Sequence, residues 1–170
     1  LGGSPNPGGA WTGPGGTPVA STFTPGTSTP GVYTYTVLGA PPCSNASAIV
    51  TVSVVSDPDP GVGTNFTVCS NANSFALFSR LGGTPQAGGA WVGPGGVHGP
   101  TFVPGTDVPG NYTYTVSGTA PCVAASATLV ISVQNAPKAG TNASTTVCST
   151  DASFGLFSIL GGTPDGGGSW

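Results

Sequence analysis

Residues 111–117 read NYTYTVS, and residues 125–134 read ASATLVISVQ. Both stretches alternate apolar and small polar side chains with a period of two. That period marks a strand with one buried face. In the first stretch Tyr112, Tyr114 and Val116 share a face, and Thr113 and Thr115 share the other. In the second, Leu129, Ile131 and Val133 point together. Working outward, TNFTVC at 64–69, SFALFSR at 74–80, the residues around Trp91, and 101–103 read as further short strands. Glycine- and proline-rich turns separate them, among them GPGGVHGP and PGTDVPG. Nothing shows the 3.6-residue period of a helix. Short strands with turn signals about every 8–12 residues are the pattern of an all-β sandwich. Trp91, Phe102, Phe75 and Leu77 are expected in its core with the two tyrosines. Phe78, opposite Phe75 and Leu77, is expected either between neighbouring domains or in a strand buried on both faces.

The pattern occurs more than once. LGGSPNPGGAW starts at Leu1, LGGTPQAGGAW at Leu81 and LGGTPDGGGSW at Leu160. Tyr33 and Tyr112, Phe23 and Phe102, Cys43 and Cys122, and Cys69 and Cys148 each stand 79 residues apart. A fixed period means one structural unit used repeatedly. Val50, Val52 and Val54 then repeat the buried face of the last strand, and Trp11, Trp91 and Trp170 fall at one phase. The connectors SDPDPGVG and NAPKAG carry proline, so consecutive units should keep a defined angle. A repeated angle builds a rod or helical fibre.

Charged residues are 4% of the chain: Arg80, Lys138 and five aspartates, for a net charge of −3. No basic stripe exists to hold phosphates, which argues against nucleic-acid binding. Thirty glycines and 18 prolines serve as turn chemistry, because they recur in register between apolar runs. A surface so poor in charge repels its neighbours weakly, which suits an assembly or a coat of sugar. Four cysteines without C-x-x-C spacing point to disulfides and an oxidising, extracellular location. No run of eighteen apolar residues exists to insert into a membrane as a helix.

The spacing Gly140-x7-Cys148, then LGGTP, GG-x-W-x-GP, F-x-PG, PG-x-YTYTV, a cysteine and S-A-x-x-V-x-V resembles the immunoglobulin-like repeats of very long secreted Bacteroidota proteins. These include gliding-motility-associated adhesins of the type IX export system, and they are similar to polycystic-kidney-disease-type domains. The resemblance implies tandem immunoglobulin-like β-sandwich domains of about 79 residues. It places one complete domain at 58–136, the C-terminal part of a repeat at 1–57 and the N-terminal part of the next at 137–170. It implies a structural repeat of an extracellular fibre or adhesin stalk, with adjacent copies of the repeat as partners and no chemistry.

Residues that could carry chemistry are sparse. His98 is the only histidine, and the matching loop of the first copy lacks it, so a catalytic triad is not expected. Asp57 and Asp59 are the only close carboxylates. Their counterparts in the next connector are Ala136 and Lys138, so a repeated calcium site is not expected. The glycines of GPGG lack the lysine and helix of a phosphate loop. No catalytic, cofactor or metal residue is therefore assigned. N-x-[ST] sequons at Asn45, Asn65, Asn111 and Asn142 are candidate glycan sites, whereas the D-[ST] motif is absent. The competing function is a carbohydrate- or ice-binding module. It would need an exposed aromatic platform or a flat threonine array, and the phase of the tryptophans and the shortness of the Thr113/Thr115 face disfavour both.

Cys69 is expected to pair with Cys122 inside one domain. The rival pairing, Cys43–Cys69 and Cys122–Cys148, would have to span the last strand and a linker, roughly 30 Å or more, against a Cα reach of about 7 Å. Assembly has two routes: a continuous covalent array, or separate subunits in which 137–170 donates early strands to 1–57 of the next. The duplication of Leu1–Trp11 in Leu160–Trp170 favours the covalent route, since a domain needs that element once.

Overall fold

The computed structural model describes residues 2–169; Leu1 and Trp170, the latter with its expected core role, lie outside the described residues. The chain divides into two compact units, residues 1–57 with 118–123, and residues 58–117 with 124–170. Strand is the dominant element in both, arranged in several sheets.

In the first unit β1 (Ala10–Thr12), β2 (Pro18–Val19), β3 (Gly31–Val37) and β4 (Ala46–Val52) form an antiparallel sheet in the order β2-β1-β3-β4. In the second, β5 (Asn65–Cys69), β7 (Ala90–Gly93), β8 (Gly96–His98), β10 (Gly110–Val116) and β11 (Ala125–Gln134) form a sheet in the order β5-β11-β10-β7-β8. The remaining strands, β6 (Phe75–Ala76) and β9 (Thr101–Phe102), pair with each other. All of these pairs are antiparallel except β5 with β11.

The repeat extends to register. Tyr112 stands opposite Leu129 and Val116 opposite Ala125, as Tyr33 stands opposite Val50 and Val37 opposite Ala46. The alternation read from NYTYTVS sets the inside and outside. Tyr112, Tyr114 and Val116 join Trp91, Phe102, Leu77, Leu129 and Ile131 in one buried cluster. On the other face the Thr113 and Thr115 hydroxyls bond Thr128 and Ser126 across the strands at 3.0 and 2.8 Å. The glycine before each YTYTV run is dictated locally. Gly31 and Gly110 have φ of +144° and +145°, and a Cβ there would meet the ring of Pro14 or Pro94 within 2.8 Å.

Two elements differ from the sequence reading. SFALFSR is not one strand: only Phe75 and Ala76 are extended, and residues Leu77–Arg80 form a 3-10 turn. A strand would send Leu77 and Phe78 to opposite faces, whereas the turn brings both to the core. Leu77 is fully buried, and Phe78 meets Tyr114 edge-on at 5.6 Å. Phe78 thus packs within its own unit. The second difference is β8, read as part of a turn. Gly96, at φ +107°, lets the chain reverse after Gly93 so that Val97 and His98 pair with Val92 and Trp91.

Candidate functional site

The four cysteines are free thiols, and the topology corrects the expected Cys69–Cys122 bridge. Cys69 lies in register with Gln134, the last residue of β11. Cys122 lies three residues before Ala125, the first. A ten-residue strand is about 30 Å long, and three residues can recover at most about 10 Å of it. The two Cα atoms are held beyond the roughly 7 Å that a disulfide tolerates. Because β5 runs parallel to β11, Cys69 lies beside the C-terminal end of β11, whereas Cys122 precedes its N-terminal end. Parallel pairing of β5 with β11 was the missing fact.

Each thiol has its own surroundings. Cys122 Sγ lies 3.5 Å from the Val55 carbonyl oxygen. Hydrogen bonding with Asp57 and, to a smaller degree, burial and the Asp57 charge push its pKa above the ordinary thiol value. Cys148 receives the Thr150 hydroxyl at 3.6 Å, and that bond, with backbone N–H donors of Thr150 and Ser149, pulls its pKa below the ordinary value.

His98 is half-buried and held in place. Nδ1 lies 2.8 Å from the Gly99 carbonyl oxygen, Nε2 lies 3.5 Å from Asp107, and the ring stands edge-on to Tyr112 at 4.8 Å. Asp107 accepts the Val103 N–H at 2.7 Å, and Tyr112 donates its hydroxyl to the Val108 carbonyl at 2.7 Å. The group closes the loop before β10. Among the described residues, no three or more His, Cys, Asp or Glu side chains converge.

Asp59 belongs to a clasp that sequence reading missed. Its carboxylate accepts the Gly61 N–H at 2.8 Å and the Thr84 hydroxyl at 3.3 Å, and Gln86 N–H donates to its carbonyl at 2.7 Å. One period later the backbone pairing is kept: Lys138 N–H donates to the Asp165 carboxylate at 2.8 Å, as Asp59 N–H donates to Gln86 Oε1 at 3.3 Å, and Asp165 N–H donates to the Lys138 carbonyl at 2.8 Å. Asp becomes Lys at one position while Gln becomes Asp at the other. That paired change was the available signal.

The candidate glycan sites Asn45, Asn65, Asn111 and Asn142 are all exposed. Asn65 and Asn111 lie at the starts of β5 and β10, and Asn45 also accepts the Gly39 N–H at 3.0 Å. Of the two described tryptophans at the repeated phase, Trp91 is buried and Trp11 is half-buried.

Among the described residues, the first unit presents an open apolar face. In the second unit β6 and the 77–80 turn pack on the inner face of the five-stranded sheet, of which β5 is the edge strand beside β11. The first unit has the equivalent sheet, with Trp11 on Tyr35 at 5.1 Å and Phe23 edge-on to Tyr33 at 5.7 Å. It has no counterpart of β5, β6 or that turn among its described residues. A recess of about 150 Å³ lined by Trp11, Phe23, Tyr33, Val50 and Val52 stands open where Leu77 sits in the second unit. Conversely, Leu156 in the later 3-10 turn (Leu156–Ile159) is 60% exposed, although the matching Leu77 is 0% exposed.

No family model, no curated protein and no solved structure matches the chain.

Proposed function

We propose that the chain is a structural repeat of an extracellular fibre or adhesin stalk, built of immunoglobulin-like β-sandwich domains joined head to tail. The observation that carries this reading is the same sheet built twice, in one register, from residues repeated along the chain. Repetition of core, turns and hairpin along the chain favours a role in building length and surface. Two features support the sandwich. The buried cluster draws on both the five-stranded sheet and the β6–β9 pair. The bond from Tyr112 to a carbonyl four residues upstream resembles the tyrosine corner of such domains, and Tyr33 repeats it on Thr29 at 2.7 Å.

Strand order supports a load-bearing role. The first and last strands of the domain at 58–136, β5 and β11, are parallel neighbours. Tension entering at Asn65 and leaving at Gln134 loads their ladder in shear, so its bonds must yield together. Sugars on the exposed asparagines would keep a surface with so little charge dispersed. This picture fits the repeat class of large secreted Bacteroidota surface proteins. The test is electron microscopy of source material labelled with an antibody against residues 58–136. Decoration at regular axial intervals along filaments is expected; label confined to dispersed globular particles would overturn the proposal.

A further inference from the structure

The strand order that excludes a bridge inside one repeat points to a bridge between repeats. We propose that the cysteine at the Cys69 position of each repeat is joined by a disulfide to the cysteine at the Cys122 position of the repeat that follows. The inference rests on the reading of the chain as an array, and deepens it by naming a covalent link between consecutive units.

Two contacts place the pair. In the second unit the β5–β11 ladder ends with Cys69 opposite Gln134, and the next amide, Ser70 N–H, donates to the Gln134 carbonyl at 2.8 Å. Val55 stands one period before Gln134. The two hairpins share one register, since Gly31 stands opposite Val52 as Gly110 stands opposite Ile131. Cys122 Sγ lies 3.5 Å from the Val55 carbonyl oxygen. Residues 118–123 group with residues 1–57 in the first compact unit, so this contact belongs to one body. The amide beside one cysteine and the thiol of the other therefore address the same carbonyl position of the repeat. A disulfide requires Cα atoms within about 7 Å, and anchoring both residues at one backbone oxygen makes them neighbours on that scale.

The repeat supports the pairing. Both kinds of cysteine recur, Cys43 with Cys122 and Cys69 with Cys148. Within one repeat the length of β11 holds the two kinds apart, so neither serves the other there. A period that carries both carries them for a neighbouring unit. Forming the bridge turns two thiols into one disulfide. The two electrons and two protons pass by exchange to a small-molecule or protein disulfide, which leaves as two thiols. The product spans the proline-bearing connector covalently, so tension cannot draw consecutive units apart even where the connector yields.

The experiment lengthens the full 170-residue chain before Leu1 by a second copy of residues 58–80, which sets a Cys69-type strand ahead of LGGSPNPGGAW. After equilibration with glutathione disulfide, peptide mass spectrometry should recover the added cysteine joined to Cys122. Cys122→Ser should leave the added cysteine free, with strand content by circular dichroism unchanged. Free thiols at both positions, or a bridge from the added cysteine to Cys43, overturn the inference. A second measurement does not depend on how the lengthened chain folds. Source material cleaved only in its connectors should keep its units joined on a non-reducing gel and release them on reduction. Units that separate without reduction overturn the bridge. Regular antibody decoration of filaments whose units separate in this way leaves the fibre reading standing without the bridge; units joined by disulfide in material that forms no filaments do the reverse.

Discussion

Trp91 and Tyr114 face each other across β7 and β10 with ring centroids 4.9 Å apart, and Trp11 and Tyr35 repeat the contact at 5.1 Å one period earlier. The geometry is the same, but the surroundings are not. Trp91 belongs to the buried cluster that includes Leu77, with Phe78 packed against it, whereas Trp11 lines an open recess. Trp91→Ala should therefore cost about 3–5 kcal/mol, and Trp11→Ala should cost clearly less. Urea unfolding followed by tyrosine fluorescence and circular dichroism checks the order; equal losses would contradict it.

Leu77 and Leu156 offer the same comparison for one residue type. Leu77→Ala empties a fully buried site and should cost about 2–5 kcal/mol. Leu156→Ala in the monomer removes a side chain that is 60% exposed and should change the unfolding midpoint little. A large destabilisation of the dilute monomer by Leu156→Ala would show that residue 156 is already covered.

Tyr112 should make stability fall at high pH. Burial first, and the Asp107 charge second, raise its pKa above 10.0. The folded chain holds the phenolic proton more tightly than the unfolded chain does. The stabilisation is therefore complete below pH 10.0 and is lost as pH rises from there through the folded value. Tyr112→Phe should lower stability near neutrality by about 1 kcal/mol, the worth of the bond to Val108, and flatten this alkaline decline. Unfolding midpoints across the alkaline range decide the point.

The thiols should differ in reactivity. Thiolate is the nucleophile, and donors around Cys148 favour it while hydrogen bonding to Asp57 disfavours it at Cys122. Timed alkylation at mildly alkaline pH with peptide mass spectrometry should show Cys148 modified before Cys122. Mild oxidation of the folded chain should yield no Cys69–Cys122 crosslink, and recovery of that crosslink from native protein would refute the strand order.

Force spectroscopy tests the parallel ladder. Pulling on the ends of the chain should break the 58–136 domain at higher force than pulling between Pro109 and Ser132. The latter pair flanks one end of the β10–β11 hairpin, where bonds open one at a time. Equal forces in the two directions would remove the mechanical argument.

Much of this structure is written in local pattern. Period-two alternation in NYTYTVS and ASATLVISVQ determined two strands and their buried faces, because successive side chains must alternate across an extended backbone. The repeat determined that Trp11 and Tyr35 would meet as Trp91 and Tyr114 do. Tertiary structure decided what alternation cannot encode. Leu77 and Phe78 are adjacent and both apolar, and only the demand of one core for both turned them into a 3-10 turn. β8 was hidden in a glycine-rich run whose pairing depends on where β7 lies. The position of Cys69 hung on whether β5 runs with β11 or against it. That choice is made between residues about sixty apart, and it alone determines which ends of the domain the two cysteines occupy.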